Sequence, residues 1–191
     1  GPERYSFGQL QVSANRFANV LRAKGVGVGD RIAIVAQSCF AIPVAHIGAW
    51  KEGAVSCPIA TLFAADALVY RFTSSGTRLV VTDVENLSKV QEAAAQSPSV
   101  QHILVFGRSG MDEGSFWQEV NAASDAFENV RTKATDAAFL NYTSGTTGLP
   151  KAVIAPHTHM LGQGAAMEFL YNYPEPGDVM WSPADWAWLA G

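Results

Sequence analysis

Asn141-Tyr142-Thr143-Ser144-Gly145-Thr146-Thr147-Gly148-Leu149-Pro150-Lys151 is the stretch on which the fold and the chemistry of this chain turn. An apolar run, Ala137 to Leu140, leads into it, and a second, Ala152 to Ala155, leads out. Short apolar runs bounded by turn residues predict a buried strand on each side, so the stretch reads as strand, loop, strand. Gly145 and Gly148 permit left-handed backbone and close approach to a ligand, which lets successive N–H groups converge on one anion. The hydroxyls of Thr143, Ser144, Thr146 and Thr147 add donors, and Lys151 adds a mobile point charge suited to a polyphosphate. A tight hairpin turn with a solvated lysine would need fewer residues and no such density of hydroxyls. A Walker A loop is excluded by spacing: it places Gly and Lys in succession at the opening of a helix, whereas Leu149 and Pro150 separate Gly148 from Lys151, which enters a β-like run.

Tyr142 to Lys151 is similar to the signature Tyr-Thr-Ser-Gly-Thr-Thr-Gly-x-Pro-Lys of the adenylate-forming (AMP-binding) superfamily, which contains acyl-CoA synthetases, luciferases and peptide-synthetase adenylation domains. Ala152 stands where the family usually has glycine. The likeness runs from Tyr5 to Gly191. Tyr5 to Asp30 resembles the family's opening block, an aromatic-Ser/Thr-x-x-Leu helix followed by a Gly-Val-x-x-Gly-Asp turn. Trp50 to Val55 with Cys57-Pro58 resembles its Lys-x-Gly-Ala-x-x-x-Pro block, and His157 matches a histidine common after the lysine. Trp181 to Trp188 resembles a Trp-x-x-Ala-Asp-x-x-Trp segment that lies beside the acyl-binding region, with Ala187 in place of a common glycine.

The resemblance is nearest to short- and medium-chain acyl-CoA synthetases. It implies an α/β fold of mostly parallel sheets flanked by helices, as the incomplete N-terminal part of a large domain spanning residues 1–191, with a boundary between two layers at about 121–135. It implies that Thr143, Ser144, Gly145, Thr146, Thr147, Gly148 and Lys151 hold the phosphates of ATP, and that His157 and Trp186 line a pocket for the carboxylic acid. Magnesium and coenzyme A are the implied companions. The family's adenine-binding, ribose-binding and metal-binding motifs, and its small domain with the catalytic lysine, lie downstream of Gly191. No catalytic residue is therefore expected in these residues, and on their own they are expected to be inactive, with self-association through the apolar surface that later strands would cover. An amino-acid adenylation domain, a luciferase-like member and a non-catalytic nucleotide-binding module stay open beside this reading.

Composition narrows the remaining classes. The 191 residues are 48% hydrophobic and carry a net charge of −4, which suits a packed core and excludes a disordered chain. The 13 Lys and Arg residues form no basic run, so no nucleic-acid footprint is expected. No apolar stretch approaches the ~20 residues of a membrane span, and a cytoplasmic protein, or one of the mitochondrial matrix in a eukaryote, is expected. Cys39 and Cys57 lack metal-ligand spacing and read as buried free thiols. His157-Thr158-His159 has no acidic or thiol partner close in sequence, so no metal site is assigned.

Before the loop, helices and strands alternate, which argues for βαβ units and a parallel sheet. Helices are predicted at Ser6–Lys24 with a Ser6/Gln9 capping box, Phe40–Glu52 with Pro43 in its first turn, Ala65–Ser75 ending at Gly76, Val84–Gln96, and Ser115–Val120 with a Ser-x-x-Gln cap. Strands are predicted at Arg31–Ala36, Ala54–Ile59, Leu79–Thr82 and Val100–Phe106. The glycines of Gly25 to Asp30 follow a helix and precede a strand, the reverse of a dinucleotide fingerprint. His46 and Trp50, four apart on a helix, are expected to be packed core residues. After the loop, a helix over Pro156–Tyr171 and a strand over Gly177–Trp181 complete the pattern.

Overall fold

The computed structural model describes residues 4–107, 114–143, 148–170, 173 and 175–179. Its first helix, α1 (Phe7–Ala23), opens on the expected capping box: the Gln9 amide donates to Ser6 Oγ at 3.2 Å, and the Ser6 amide donates to Gln9 Oε1 at 2.8 Å. Ala14, Phe17, Ala18 and Leu21 recur at helical spacing and are buried together. That face crosses α2 (Ala41–Lys51) at Gly48, where an added Cβ would stand 2.6 Å from Phe17 Cδ1 and 3.0 Å from the Ala14 carbonyl. Only a glycine lets the two backbones approach so closely. Pro43 falls in the first turn of α2, where no intrahelical donor is lost.

Six strands, β1 (Arg31–Val35), β2 (Val55–Pro58), β3 (Thr77–Asp83), β4 (His102–Phe106), β5 (Ala137–Thr143) and β6 (Lys151–Pro156), form one sheet in the order β4-β3-β1-β2-β5-β6. Every pairing is parallel except that of β6 with β5, which is antiparallel. The alternation along β1 explains the layers. Ile32 and Ile34 enter a core with Phe17 and Leu21 of α1 and Phe116 of α5 (Ser115–Ala122), while Ala33 and Val35 enter a second core with Leu68 and Phe72 of α3 (Ala65–Ser75) and Val90 of α4 (Leu87–Ala95). A strand buried on both faces reads as one continuous apolar run, which is why β1 shows no polar alternation.

Several expected boundaries shift for local reasons. The helix expected from Val84 begins at Leu87, because Asp83 Oδ1 accepts from the Asn86 amide at 2.8 Å and its side-chain Nδ2 at 2.7 Å, holding a turn there first. Ser115 does not cap its helix; Gly114 is the N-cap residue, and Ser115 Oγ accepts the Val105 amide of β4 at 3.1 Å. Cys57 is buried as expected, with its thiol pushed up to about 12 by burial, whereas Cys39 is only partly buried. Residues 177–179 form no strand; Met180 and Trp181 lie outside the described residues.

The polar connection after α5 is pinned to the helices rather than free. Asn19 Nδ2 donates to the carbonyls of Ser124 and Ala126, Asn15 Nδ2 donates to that of Asp125, and the Arg22 guanidinium lies 4.4 Å from the Phe127 ring centroid. Strands on either side of this connection belong to the same sheet. Among the described residues no helix is long and apolar enough to cross a membrane.

Candidate functional site

β5 is held at its start by the α2 side of the sheet. Trp50 Nε1 donates to the Ala138 carbonyl at 2.9 Å and to Ser56 Oγ at 3.1 Å, and its ring meets Phe139 edge to face at 4.8 Å. His46 completes the aromatic group at 5.4 Å from Phe139 and is buried, as expected of a core residue, whereas Trp50 is packed but only partly buried. His46 Nδ1 has no hydrogen-bond partner among the described residues, and burial lowers this imidazole from 6.5 to about 4.

From this anchor β5 runs outward to Thr143, and β6 returns from Lys151. The register pairs Thr143 with Lys151 and Tyr142 with Ala152, and Thr143 Oγ1 donates to the Lys151 carbonyl at 3.5 Å. The two stems of the loop therefore stand side by side, with Gly148 and the Lys151 side chain exposed beside them. Among the described residues nothing lies within 4 Å of the space a Cβ on Gly148 would take. Ser144, Gly145, Thr146 and Thr147 lie outside the described residues, as does Trp186.

His157 occupies the opposite end of β6, where Pro156 pairs with Ala137 and α6 (His157–Leu170) begins. Its amide donates to the Asp136 carbonyl at 3.1 Å, and its Nε2 is buried with no hydrogen-bond partner among the described residues. At about 3.4 Å per residue, β6 puts His157 on the order of 20 Å from Lys151. The structure thus brings together Thr143 and Lys151, and sets His157 apart from them. Among the described residues no group of three or more His, Cys, Asp or Glu side chains is disposed to hold a metal ion.

Sequence reasoning passed over α3, which touches both stems. Tyr70 Oη donates to the Pro150 carbonyl at 2.9 Å. Tyr142 Oη donates to the Arg71 carbonyl at 3.0 Å and shares a hydrogen bond with Ser74 Oγ at 2.6 Å, and burial raises the Tyr142 phenol above its usual range. Arg71 is 5% exposed, its guanidinium carbon 3.6 Å from the Phe63 ring centroid and 5.3 Å from that of Tyr142. Aromatic faces stand where a carboxylate would be usual, and burial lowers the Arg71 pKa. The available signal was Tyr70 and Ser74 at helical i, i+4 spacing; nothing local ties that face to a loop 80 residues away.

A hydroxyl- and glycine-rich segment closed by lysine joins the antiparallel strands β5 and β6 at the edge of an otherwise parallel α/β sheet, an arrangement distinct from the Walker type, in which such a segment opens a helix. The chain belongs to the AMP-binding enzyme family, which it matches over residues 1–191. It is 32% identical over 207 aligned positions to the acetyl-coenzyme A synthetase of Sodalis glossinidius (strain morsitans), covering 97% of this chain and 31% of that protein. Among solved structures it is similar to an acyl-CoA synthetase of Brucella canis, with a TM-score of 0.83, 30% identity and coverage of 97% of this chain and 34% of the other. It is also similar to ATP-bound MatB from Rhodopseudomonas palustris, with a TM-score of 0.80, 28% identity and coverage of 89% and 33%. The chain spans about a third, 31%, of the length of the curated relatives it matches.

Proposed function

We propose that this chain is the phosphate-holding part of an ATP-dependent, AMP-forming acyl-CoA synthetase acting on a small carboxylic acid. The observation that carries the reading is the pairing of Thr143 with Lys151, which sets a hydroxyl and a cation at the mouth of the glycine- and hydroxyl-rich loop. Membership of the AMP-binding family and likeness to acetyl- and acyl-CoA synthetases support it.

In the proposed reaction the substrate carboxylate attacks the α-phosphorus of ATP, the bond to pyrophosphate breaks, and an acyl-adenylate forms. The thiol of coenzyme A then attacks the acyl carbon and AMP leaves. Such chemistry depends on positioning and on neutralising charge on the leaving group. Here that task falls to Lys151, the hydroxyls of Thr143, Ser144, Thr146 and Thr147, and the amides around Gly145 and Gly148. His157 and Trp186 are proposed as walls of the acid pocket in the complete protein. Among the described residues no cluster of His, Cys, Asp or Glu is disposed to hold magnesium, and no step is drawn through the ion.

Pyrophosphate exchange by the full-length protein, run over a panel of short fatty acids and amino acids, tests this. Exchange dependent on short fatty acids is expected, and Lys151→Ala should lower ATP use by about 1.5–3 kcal/mol, one charge-assisted contact, with acid preference kept. Exchange driven by amino acids instead would move the reading to an adenylation domain. Unchanged ATP use with altered acid preference would remove Lys151 from the phosphate role.

A further inference from the structure

We propose that helix α3 positions the phosphate loop, with Tyr70 and Ser74 as positioning residues that each hold one of its stems and so fix where Lys151 and Thr143 stand. This rests on the reading that the loop takes nucleotide phosphate. The geometry is specific at each stem. The Pro150 carbonyl that accepts from Tyr70 belongs to the same planar peptide unit as the Lys151 amide, so a bond to that oxygen orients the plane from which Lys151 departs. On the other stem, Tyr142 immediately precedes Thr143, and its hydroxyl is fixed between Ser74 Oγ and the Arg71 carbonyl.

Tyr70 and Ser74 reach both stems because i, i+4 spacing stacks them on one face of α3. Tyr142 meets that face because side chains alternate along β5: Leu140 and Tyr142 pack toward the α3 core, while Phe139 packs on Trp50 and His46. The rings of Tyr70 and Tyr142 then pack edge to face, centroids 6.2 Å apart, which keeps the two holds in step. The stems need such a support. Among the described residues β6 has β5 as its one strand neighbour in the sheet, and Lys151 to Ile154 are exposed, so packing on β6 itself does little to fix Lys151. A lysine whose departure point wanders loses the advantage of a preset charge.

The test uses the full-length protein with Tyr70→Phe, Ser74→Ala, Lys151→Ala and the combination Tyr70→Phe/Lys151→Ala. ATP affinity is read by titration calorimetry, unfolding by a thermal scan, and KM for ATP and for the acid by pyrophosphate exchange. Tyr70→Phe keeps the ring and removes one hydroxyl. It should weaken ATP binding about two- to tenfold, the worth of one hydrogen bond, and leave the KM for the acid unchanged. Ser74→Ala should act in the same direction. In the Lys151→Ala background, Tyr70→Phe should have no further effect on ATP, because the group it places is gone. Equal ATP affinity in wild type and Tyr70→Phe, including equal absence of binding, overturns the proposal. So does an undiminished effect of Tyr70→Phe without Lys151, or loss of ATP and acid affinity in parallel with a fall in melting temperature. Wild-type protein that binds ATP but exchanges no pyrophosphate would remove the synthetase reading alone; the binding cycle would still decide the role of α3.

Discussion

β1 and β6 are close in composition, Arg-Ile-Ala-Ile-Val against Lys-Ala-Val-Ile-Ala-Pro, yet one is sealed and the other open. Ile32, Ala33 and Val35 are fully buried, while Val153 and Ile154 are 45% and 63% exposed. The difference lies in the neighbours. β1 has β2 and β3 beside it and helices over both faces, whereas β6 has β5 on one edge and leads into α6, whose Leu161, Phe169 and Leu170 are exposed. An apolar run thus announces a strand without saying what covers it. The segment proposed to hold phosphate joins the two regimes, with one stem rooted in the covered sheet and the other on the open edge.

The sharpest way to break this contrast is at the covered centre. Phe17 is fully buried, packs on Phe116 with centroids 5.1 Å apart, and closes the crossing at Gly48. Phe17→Ala should cost about 3–5 kcal/mol of stability, read as a shift in the urea midpoint, because α1 and α2 cannot collapse onto the space. A cost below about 1 kcal/mol would mean that the centre is not the rigid half of the comparison.

The next effect is smaller and tests where the two regimes meet. His46 packs between Trp50 and Phe139, beside the root of β5, and burial lowers its pKa to about 4 from the usual 6.5. Above pH 6.5 the imidazole is neutral in both the folded and unfolded states, and stability is full. Between pH 6.5 and 4 the unfolded chain takes up a proton that the folded one refuses, so stability falls as pH falls. From pH 7.5 to pH 5 the loss assigned to this group is roughly 2 kcal/mol. Urea midpoints at those two pH values should converge in His46→Gln relative to wild type. An identical pH slope in the variant would show that His46 does not carry the effect.

What was legible in the sequence follows the same division. The capping box of α1 and the end of α3 at Gly76, which takes φ +62°, are decided within a few residues, so local pattern sufficed. Ser115 was misread because a serine followed by glutamine three residues on looks like a cap, and only the fold supplies the competing Val105 amide. The family was legible in the signature Tyr142 to Lys151, and the match to the AMP-binding enzyme family over residues 1–191 bears that out. The contact of α3 with the stems was not, because Tyr70 and Pro150 are brought together only by the sheet order that places β5 beside β2. The openness of β6 was equally hidden, because burial belongs to the neighbours rather than to the strand.

The smallest expected effect is the one that reads coverage most directly. Leu161 on α6 is 76% exposed, so replacing it by serine removes little buried apolar surface. With only the described residues around it, Leu161→Ser should change stability by no more than about 0.5 kcal/mol, against several for Phe17→Ala. Fully burying a leucine is worth about 1.5–3 kcal/mol, so the measured cost in the full-length protein scales with how far some other surface covers α6. A change within about 0.5 kcal/mol keeps the open edge as described. A cost near 2 kcal/mol would show that α6 lies under further structure, and would turn the contrast between β1 and β6 into one between a core closed by these residues and a core closed by others.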